Sequence, residues 1–322
     1  MIRAILLTVA TAALANGGMA MAREVTIERS ELAGPLAGTF EGETNSGRPG
    51  VVIVPGSGPT DRDGNSPLGV KAQPYRLLAA ALVEEGIASI RIDKRGMFGS
   101  EAAIANANEV TIGDYAEDTL AWAAKMRSET RADCAWLLGH SEGGLVVLDA
   151  AKRDPAGLCG VILVSSLGRR PGEVIKEQLA ANGAAPLMDE IERHIATLER
   201  GERIEGEIHP GLAPLFGPQL QTFMASFLSR DPAVDIAVID LPVLIVQGSE
   251  DLQVRDADAE ALAVARPDAT LVSIEGMNHV LKSVPHGDRA ANLASYGDPG
   301  LPLADGVAEA IAGFVAEHTP AQ

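Results

Sequence analysis

The chain has 322 residues, of which 46% are hydrophobic and 22% are charged. This composition is that of an ordinary globular protein, and the length is sufficient for one α/β domain that has a large core and carries an insertion. The formal net charge of −18 argues against a nucleic acid or an anionic membrane surface as a partner.

Residues 1–22 have the pattern of a secretory signal peptide. Arg3 provides a positive charge, and the apolar stretch at 4–15 is too short to span a bilayer comfortably. Ala20, Met21 and Ala22 fit the small-x-small pattern of a cleavage site. We therefore expect cleavage after Ala22 and a secreted or periplasmic protein without stable membrane insertion. An uncleaved anchor and an ordinary buried helix are the alternatives.

Short apolar runs alternate with helical patterns through most of the remaining chain. Residues 25–28 and 36–43 predict two strands of a hairpin at a sheet edge. Further strands are predicted at 51–54, 88–93, 135–138, 161–164, 241–246 and 270–274, and helices at 75–85, 111–127, 144–152, 256–265 and 304–316. Strands that alternate with helices predict a mostly parallel sheet with helices on both faces.

Residues 167–240 break this alternation, because they contain no good strand pattern. The stretches 173–182, 187–200 and 215–228 have helical periodicity instead. An insertion at this point would lie over the C-terminal edge of the sheet, where it would act as a lid. The sequence therefore predicts an α/β core at 23–166 and 241–322 and a helical cap at 167–240, which we call the cap segment.

The segment Gly139-His140-Ser141-Glu142-Gly143 joins a predicted buried strand to a predicted helix. A sharp strand-to-helix turn around a serine requires small residues two positions before and after it, because larger side chains would collide. Ser141 would then stand at a helix N-terminus, whose dipole favours the negative charge that forms during acyl transfer. The pattern predicts a nucleophilic serine, and a glycine-rich turn without chemistry is the alternative.

A serine nucleophile needs a base and an orienting acid, which in this topology follow it in the order acid, then histidine. Asp251 lies in the loop after the strand at 241–246 and is the expected acid, with Glu250 and Asp256 as rivals. His279 lies in the loop after the last strand and is the expected base. The side chain of His140 is expected to point away from Ser141. The remaining histidines lie in the cap segment, beyond the last loop or in the tail, at positions 194, 209, 286 and 318.

The negative oxygen of an acyl-transfer intermediate requires two backbone N–H donors. Glu142, the residue after the nucleophile, is expected to supply one of them. The glycine-rich loop after the strand at 51–54 is expected to supply the other from Ser57, with Gly58 as the rival. The charged residues 61–63 follow this loop, and we expect them to brace it through ion pairs, with Arg95 as a candidate partner.

Together these motifs resemble the α/β-hydrolase superfamily. Within it, the sequence resembles bacterial serine esterases and dienelactone-hydrolase-like proteins that carry Pro-Gly-Ser-Gly-Pro-x-Asp-Arg-Asp after the third strand. The matching segments are 55–63, 93–96, 139–144, 248–251 and 278–279. The resemblance implies an α/β-hydrolase fold and a Ser141–His279–Asp251 triad.

The resemblance also implies hydrolysis of carboxylic esters, and we expect a small-molecule ester with a small or medium acyl group as the substrate. No His-Glu-x-x-His or Cys-x-x-Cys motif is present, so neither a metal nor an organic cofactor is expected. A peptidase or thioesterase with the same triad is the nearest alternative, and a non-catalytic binding protein is another. The sequence assigns no substrate-binding residues.

Cys134 and Cys159 are the two cysteines of the chain. Each precedes a predicted strand, and in an α/β-hydrolase sheet these two strands are adjacent and parallel. Both cysteines would therefore lie at the N-terminal edge of the sheet, far from Ser141. Since adjacent strands are about 4.8 Å apart, a disulfide bond is within reach if the side chains share a face. We predict this bond.

Overall fold

The computed structural model describes residues 22–319, so the expected signal peptide lies outside the described residues except for Ala22. The strands are β1 (Arg23–Ile27), β2 (Leu36–Glu41), β3 (Val51–Val54), β4 (Ser89–Ile92), β5 (Ala135–His140), β6 (Leu158–Val164), β7 (Val243–Gly248) and β8 (Thr270–Ile274). They form one sheet in the order β1-β2-β4-β3-β5-β6-β7-β8. β1 and β2 are antiparallel to their neighbours, and the other strands pair in parallel. The predicted edge hairpin and mostly parallel sheet are confirmed.

Helices cover both faces of this sheet. The α-helices of the described residues, including those of the cap segment, are α1 (Pro74–Glu84), α2 (Ile112–Thr130), α3 (Glu142–Arg153), α4 (Pro171–Leu179), α5 (Met188–Glu199), α6 (Ala213–Phe216), α7 (Gln221–Leu228), α8 (Pro232–Ala237), α9 (Asp256–Ala265), α10 (Arg289–Ser295) and α11 (Val307–His318). Val52 and Val54 of β3 pack in the core with α2 and α3, whereas Val51 and Ile53 pack with α1 and α11. Because successive side chains of a strand point to opposite faces, a strand covered on both sides must be apolar throughout.

A disulfide bond joins Cys134 and Cys159, as predicted. Cys134 immediately precedes β5, and Cys159 is the second residue of β6, its parallel neighbour. The two Cα atoms are 5.2 Å apart. The bond therefore lies at the N-terminal edge of the sheet, opposite the edge at which Ser141 follows β5.

Residues 167–240 contain five α-helices, α4 to α8, and no strand. The predicted helix at 215–228 is wrong in one respect, because α6 ends at Phe216 and α7 begins only at Gln221. Pro218 explains the break, since proline lacks an N–H donor and disfavours helical backbone in the residue before it. The sequence patterns also missed α8 and α10. None of the helices between residues 22 and 319 has the length and hydropathy of a membrane-crossing segment.

Candidate active site

Ser141 occupies the turn between β5 and α3 with a backbone φ of 55° and ψ of −122°. Residues other than glycine rarely adopt a positive φ, so the turn is strained at this position. A Cβ atom on Gly139 would collide with the carbonyl group of Gly143, and one on Gly143 would collide with the carbonyl oxygen of Val54. The two glycines of the motif are therefore required by the close approach of three backbone segments.

His279 and Asp251 form a buried pair at the same edge of the sheet. His279 Nδ1 lies 2.8 Å from Asp251 Oδ2, and the Asp251 side chain is fully buried. The backbone N–H groups of Gln253 and Val254 donate to Asp251 Oδ1 at 2.8 and 2.9 Å. Burial raises the pKa of Asp251, but the charge and hydrogen bond of His279 and these two amides together outweigh it and lower the pKa. Since an ionised carboxylate only accepts hydrogen bonds, Nδ1 of His279 carries the proton of this contact.

The two rival acids have other surroundings. The Glu250 carboxylate lies 2.6 Å from His286 Nδ1 and accepts a hydrogen bond from the Gly287 N–H at 3.0 Å. Asp256 is the exposed first residue of α9. Asp251 is thus the one of the three whose carboxylate contacts His279.

The Ser141 hydroxyl has no hydrogen-bond partner among the described residues, and therefore none in His279. The loops that carry the two residues are nonetheless in contact, because the rings of His140 and His279 lie 4.7 Å apart. Hydrogen bonds between a nucleophile and its base are often long without substrate and shorten when it binds.

His140 connects the base to the glycine-rich loop, a role that sequence reasoning missed. Its Nε2 lies 2.8 Å from the His279 carbonyl oxygen, and its Nδ1 lies 2.9 Å from the Tyr75 hydroxyl. Because a carbonyl only accepts, Nε2 carries the proton and Nδ1 accepts from Tyr75. The Tyr75 oxygen in turn accepts from the Gly56 N–H at 3.1 Å. Burial first, and then the nearby charge of His279, lowers the pKa of His140 to about 3, so this ring stays neutral.

Three residues that line the cavity beside Ser141 have unpaired backbone N–H groups. Those of Ser57, Gly58 and Glu142 donate to no acceptor between residues 22 and 319, and all three residues line the same cavity as Ser141. Ser57 and Gly58 belong to the loop after β3, and Glu142 is the first residue of α3. These unpaired donors are where a negatively charged oxygen would be held.

Ion pairs brace the loop after β3, although the predicted partner is wrong. Arg62 donates from its backbone N–H, Nε and Nη2 to the Asp93 carboxylate at 2.8, 2.8 and 2.6 Å. Asp63 pairs with Arg91 of β4. Arg95 instead binds Asp114 and Asp118, which lie one helical turn apart on α2 and together offer two carboxylates.

Lys94, to which sequence reasoning gave no role, contacts both the loop that carries the unpaired N–H groups of Ser57 and Gly58 and the residue Glu142. Its Nζ donates to the Gly56 carbonyl oxygen at 2.6 Å and lies 3.2 Å from Glu142 Oε1. The side chains of Lys94 and Glu142 are each only 2% exposed. Nζ also lies 5.3 Å from the centre of the Tyr115 ring, within range of a cation–π contact. The sequence feature that could have pointed to Lys94 is its position just after a predicted buried strand.

A cavity of about 640 Å³ separates Ser141 from the cap segment. The cap segment contributes apolar side chains to its wall, namely Leu167, Val174, Ile175, Pro214, Leu215, Leu220, Phe223, Met224 and Phe227. Lys94 and Glu142 are the lining residues with charged side chains among the described residues, and they pair with each other. The remaining polar lining includes Asn108, Gln178 and Gln253. The cavity therefore offers an apolar chamber next to the serine.

The strand order, the strained serine between β5 and α3, and the buried acid and histidine after β7 and β8 define an α/β-hydrolase. The family model of serine aminopeptidase S33 matches residues 68–283, which is more than half of the chain. The chain therefore belongs to this family of α/β-hydrolases.

A curated relative, the esterase EstD of Thermotoga maritima, is 26% identical over 239 residues. The match covers 73% of this chain but 55% of EstD, so the chain spans about half the length of that relative. Est1E from Butyrivibrio proteoclasticus is 17% identical with a TM-score of 0.55, covering 92% of this chain and 98% of that one. A thermophilic esterase from Thermogutta terrifontis is 18% identical with a TM-score of 0.55, covering 92% and 100%. The likeness to these two structures establishes the fold.

Proposed function

We propose that the protein is an exported serine esterase that hydrolyses small-molecule carboxylic esters with small or medium acyl groups. The observation that carries the proposal is the buried His279–Asp251 pair at the sheet edge where the strained Ser141 lines an apolar cavity together with residues whose backbone N–H groups are unpaired. The similarity to EstD supports ester hydrolysis. The loop at 55–63 is the basis for placing the protein with bacterial serine esterases and dienelactone-hydrolase-like proteins.

In the first half of the reaction, Ser141 Oγ attacks the ester carbonyl carbon while His279 Nε2 takes the hydroxyl proton. The carbonyl electron pair moves to its oxygen, and the N–H groups of Glu142 and Ser57 bind the resulting negative charge, with Gly58 as the rival donor. Asp251 keeps the proton on Nδ1 and stabilises the charged imidazole. The bond to the alcohol oxygen then breaks, His279 returns the proton to that oxygen, and an acyl-serine remains.

In the second half, a water molecule gives a proton to His279 and attacks the acyl carbon. The tetrahedral intermediate uses the same two N–H donors. When the bond to Ser141 Oγ breaks, His279 returns the proton to Oγ and the carboxylic acid leaves. No redox partner is required, because each step transfers only a proton and an electron pair between groups already named.

The charge distribution of the cavity favours an acyl ester over a peptide, although the family takes its name from aminopeptidases. An aminopeptidase must hold the charged α-ammonium of its substrate, and a buried ammonium requires an anionic partner. Glu142 is the acidic residue that lines the cavity in the described part of the chain, and it is already paired with Lys94. The volume of about 640 Å³ suits a small-molecule ligand.

Two observations support the proposal of export. Residues 1–22 carry a positive charge, an apolar stretch and a small-x-small site, as a signal peptide does. Cys134 and Cys159 are joined in a disulfide bond, and such bonds persist mainly in oxidising compartments such as a bacterial periplasm. A coenzyme A thioester would not be met there, which weighs against a thioesterase.

The test is a p-nitrophenyl ester series from acetate to dodecanoate, measured beside amino-acid p-nitroanilides and an acyl thioester. We expect the short and medium esters to be hydrolysed fastest, Ser141→Ala to abolish turnover, and a fluorophosphonate to label wild-type Ser141. Activity that survives Ser141→Ala would contradict the mechanism. Faster hydrolysis of the anilides would establish the peptidase alternative, and an unlabelled, inactive wild type would establish the non-catalytic one.

A further inference from the structure

We propose that Lys94 is a positioning residue that orients both backbone donors of the oxyanion hole. This inference rests on the proposed esterase function, because it concerns the N–H groups of Ser57 and Glu142 as donors to the reacting oxygen. Lys94 follows β4, and its Nζ contacts both the loop after β3 at Gly56 and the start of α3 at Glu142.

The first link runs through one peptide unit. The Gly56 carbonyl and the Ser57 N–H belong to the same planar trans peptide, so they point in opposite directions. Lys94 Nζ holds the Gly56 oxygen at 2.6 Å, and this fixes the direction in which the Ser57 N–H points. The Gly56 N–H is held as well, by the Tyr75 hydroxyl. Gly56 is thus fixed on both sides, although the loop after it is rich in glycine.

The second link runs through Glu142. Its backbone N–H is unpaired at the start of α3, and its carboxylate turns back to Lys94 Nζ at 3.2 Å. One buried ammonium therefore contacts the peptide of the first donor and the side chain of the residue that provides the second donor. A shift of either segment would lengthen a charge-assisted hydrogen bond of a side chain that is only 2% exposed, and such bonds are stronger when buried than in water.

Orientation, and not direct attraction of the oxyanion by the ammonium, accounts for the expected effect. The Glu142 carboxylate lies 3.2 Å from Lys94 Nζ, and its opposite charge reduces the attraction between the ammonium and the oxyanion. The charged donor on the Gly56 oxygen also polarises that peptide and strengthens the Ser57 N–H as a donor. Buried ion pairs stabilise a fold no better than well-packed apolar residues do, so a purely structural role explains this pair poorly.

The experiment compares Lys94→Met, the double variant Lys94→Met/Glu142→Gln and the control Lys152→Met. Lys152 lies on the same helix as Glu142, and its ammonium pairs with Asp235 at a distance from Ser141. The double variant removes the buried carboxylate that Lys94→Met alone would leave unpaired. For each protein we would measure kcat and KM on a p-nitrophenyl ester, the inhibition constant of an alkyl boronic acid, and the thermal midpoint.

A boronic acid forms a tetrahedral anion on the serine, so it reports the oxyanion hole independently of turnover. We expect kcat to fall by about 10- to 100-fold in both Lys94 variants, less than the full loss of one donor would cause. The boronate inhibition constant should rise by a similar factor, with KM within about twofold, because only the transition state uses these donors. Lys152→Met should retain wild-type kcat.

If Lys94→Met keeps the wild-type kcat while the wild type is active and labelled at Ser141, the inference about Lys94 is wrong and the proposed function is unaffected. The inference would also be wrong if the double variant regained both the kcat and the thermal midpoint that Lys94→Met had lost. That result would mean that kcat in Lys94→Met was lowered by a loss of fold stability. An inactive, unlabelled wild type would overturn the proposed function and this inference with it. A loss of kcat without a change in boronate affinity would place the role of Lys94 outside the oxyanion hole.

Discussion

The sheet edge that carries Ser141 and the cap segment that faces it differ in the kind of side chain that they contribute to the site. The edge consists of buried polar groups in mutual contact, such as His279 with Asp251 and Lys94 with Glu142. The cap segment consists of short helices that present apolar side chains to the cavity. Polar groups fixed by hydrogen bonds suit a reaction that needs defined geometry, whereas apolar side chains can vary in size without disturbing it. The edge should therefore determine rate, and the cap segment should determine which acyl group is accepted.

The largest effect should come from changing the orienting acid at the sheet edge. Asp251→Asn should lower kcat by about 10⁴-fold, because an amide favours the wrong histidine tautomer without disturbing the packing. Glu250→Gln is the matched control, since the Glu250 carboxylate contacts His286 instead of His279. Steady-state kinetics and a circular dichroism spectrum would test this. A larger loss in Glu250→Gln would overturn the assignment of the acid.

The pH dependence of kcat/KM should show no contribution from two buried groups at this edge, His140 and Asp251. His140 should not contribute, because its pKa of about 3 keeps it neutral over the working range. Asp251 should not contribute either, since its pKa is lowered. A limb with a slope of two in a plot of log kcat/KM against pH would show that a second group titrates.

A smaller and more selective effect is expected from the cap segment. Phe223 lines the cavity, stacks on Phe227 with ring centres 6.1 Å apart and lies 6.3 Å from the Tyr115 ring. Phe223→Ala should enlarge the chamber and shift the preferred ester toward longer acyl chains, changing kcat/KM ratios by about 10-fold. The kcat/KM for the acetate ester should change little.

Val234→Ala is the control for that experiment, because Val234 is 59% exposed on α8 and does not line the cavity. It should leave the whole ester profile unchanged. A uniform loss over all esters in Phe223→Ala would contradict the division of roles, since it would mean that the cap segment also positions the reacting groups.

The same division explains which features could be predicted from sequence. Ser141, Asp251 and His279 stand out because each follows a recognisable strand, and the order of strands brings their loops to one edge. The contacts of Lys94 with Gly56 and of His140 with the His279 carbonyl join positions that are 38 and 139 residues apart. No local sequence pattern predicts contacts over such separations. Arg95 was assigned the wrong partner for the same reason. The break between α6 and α7 is a different case, because Pro218 is a local signal for a helix end. The helical periodicity of 215–228 predicts one continuous helix in spite of that proline.

The smallest effect on activity should come from the opposite edge of the sheet. The disulfide between Cys134 and Cys159 closes a loop with a sequence separation of 25, and its loss should cost about 3 kcal/mol of unfolding free energy in the chain-entropy model. Reduction should therefore lower the thermal midpoint. At low temperature the reduced protein should keep its kcat, because no group of the candidate site lies at the N-terminal ends of the strands.

Thiol titration of the denatured, unreduced protein with Ellman's reagent should find no free thiol, and two after reduction. The double variant Cys134→Ala/Cys159→Ala repeats the comparison without a reductant. If kcat at low temperature fell together with the thermal midpoint in that variant, the two edges of the sheet would not be independent. The catalytic geometry would then depend on how firmly β5 and β6 are held at the end far from Ser141, since these two strands lead to the serine and to the start of the cap segment.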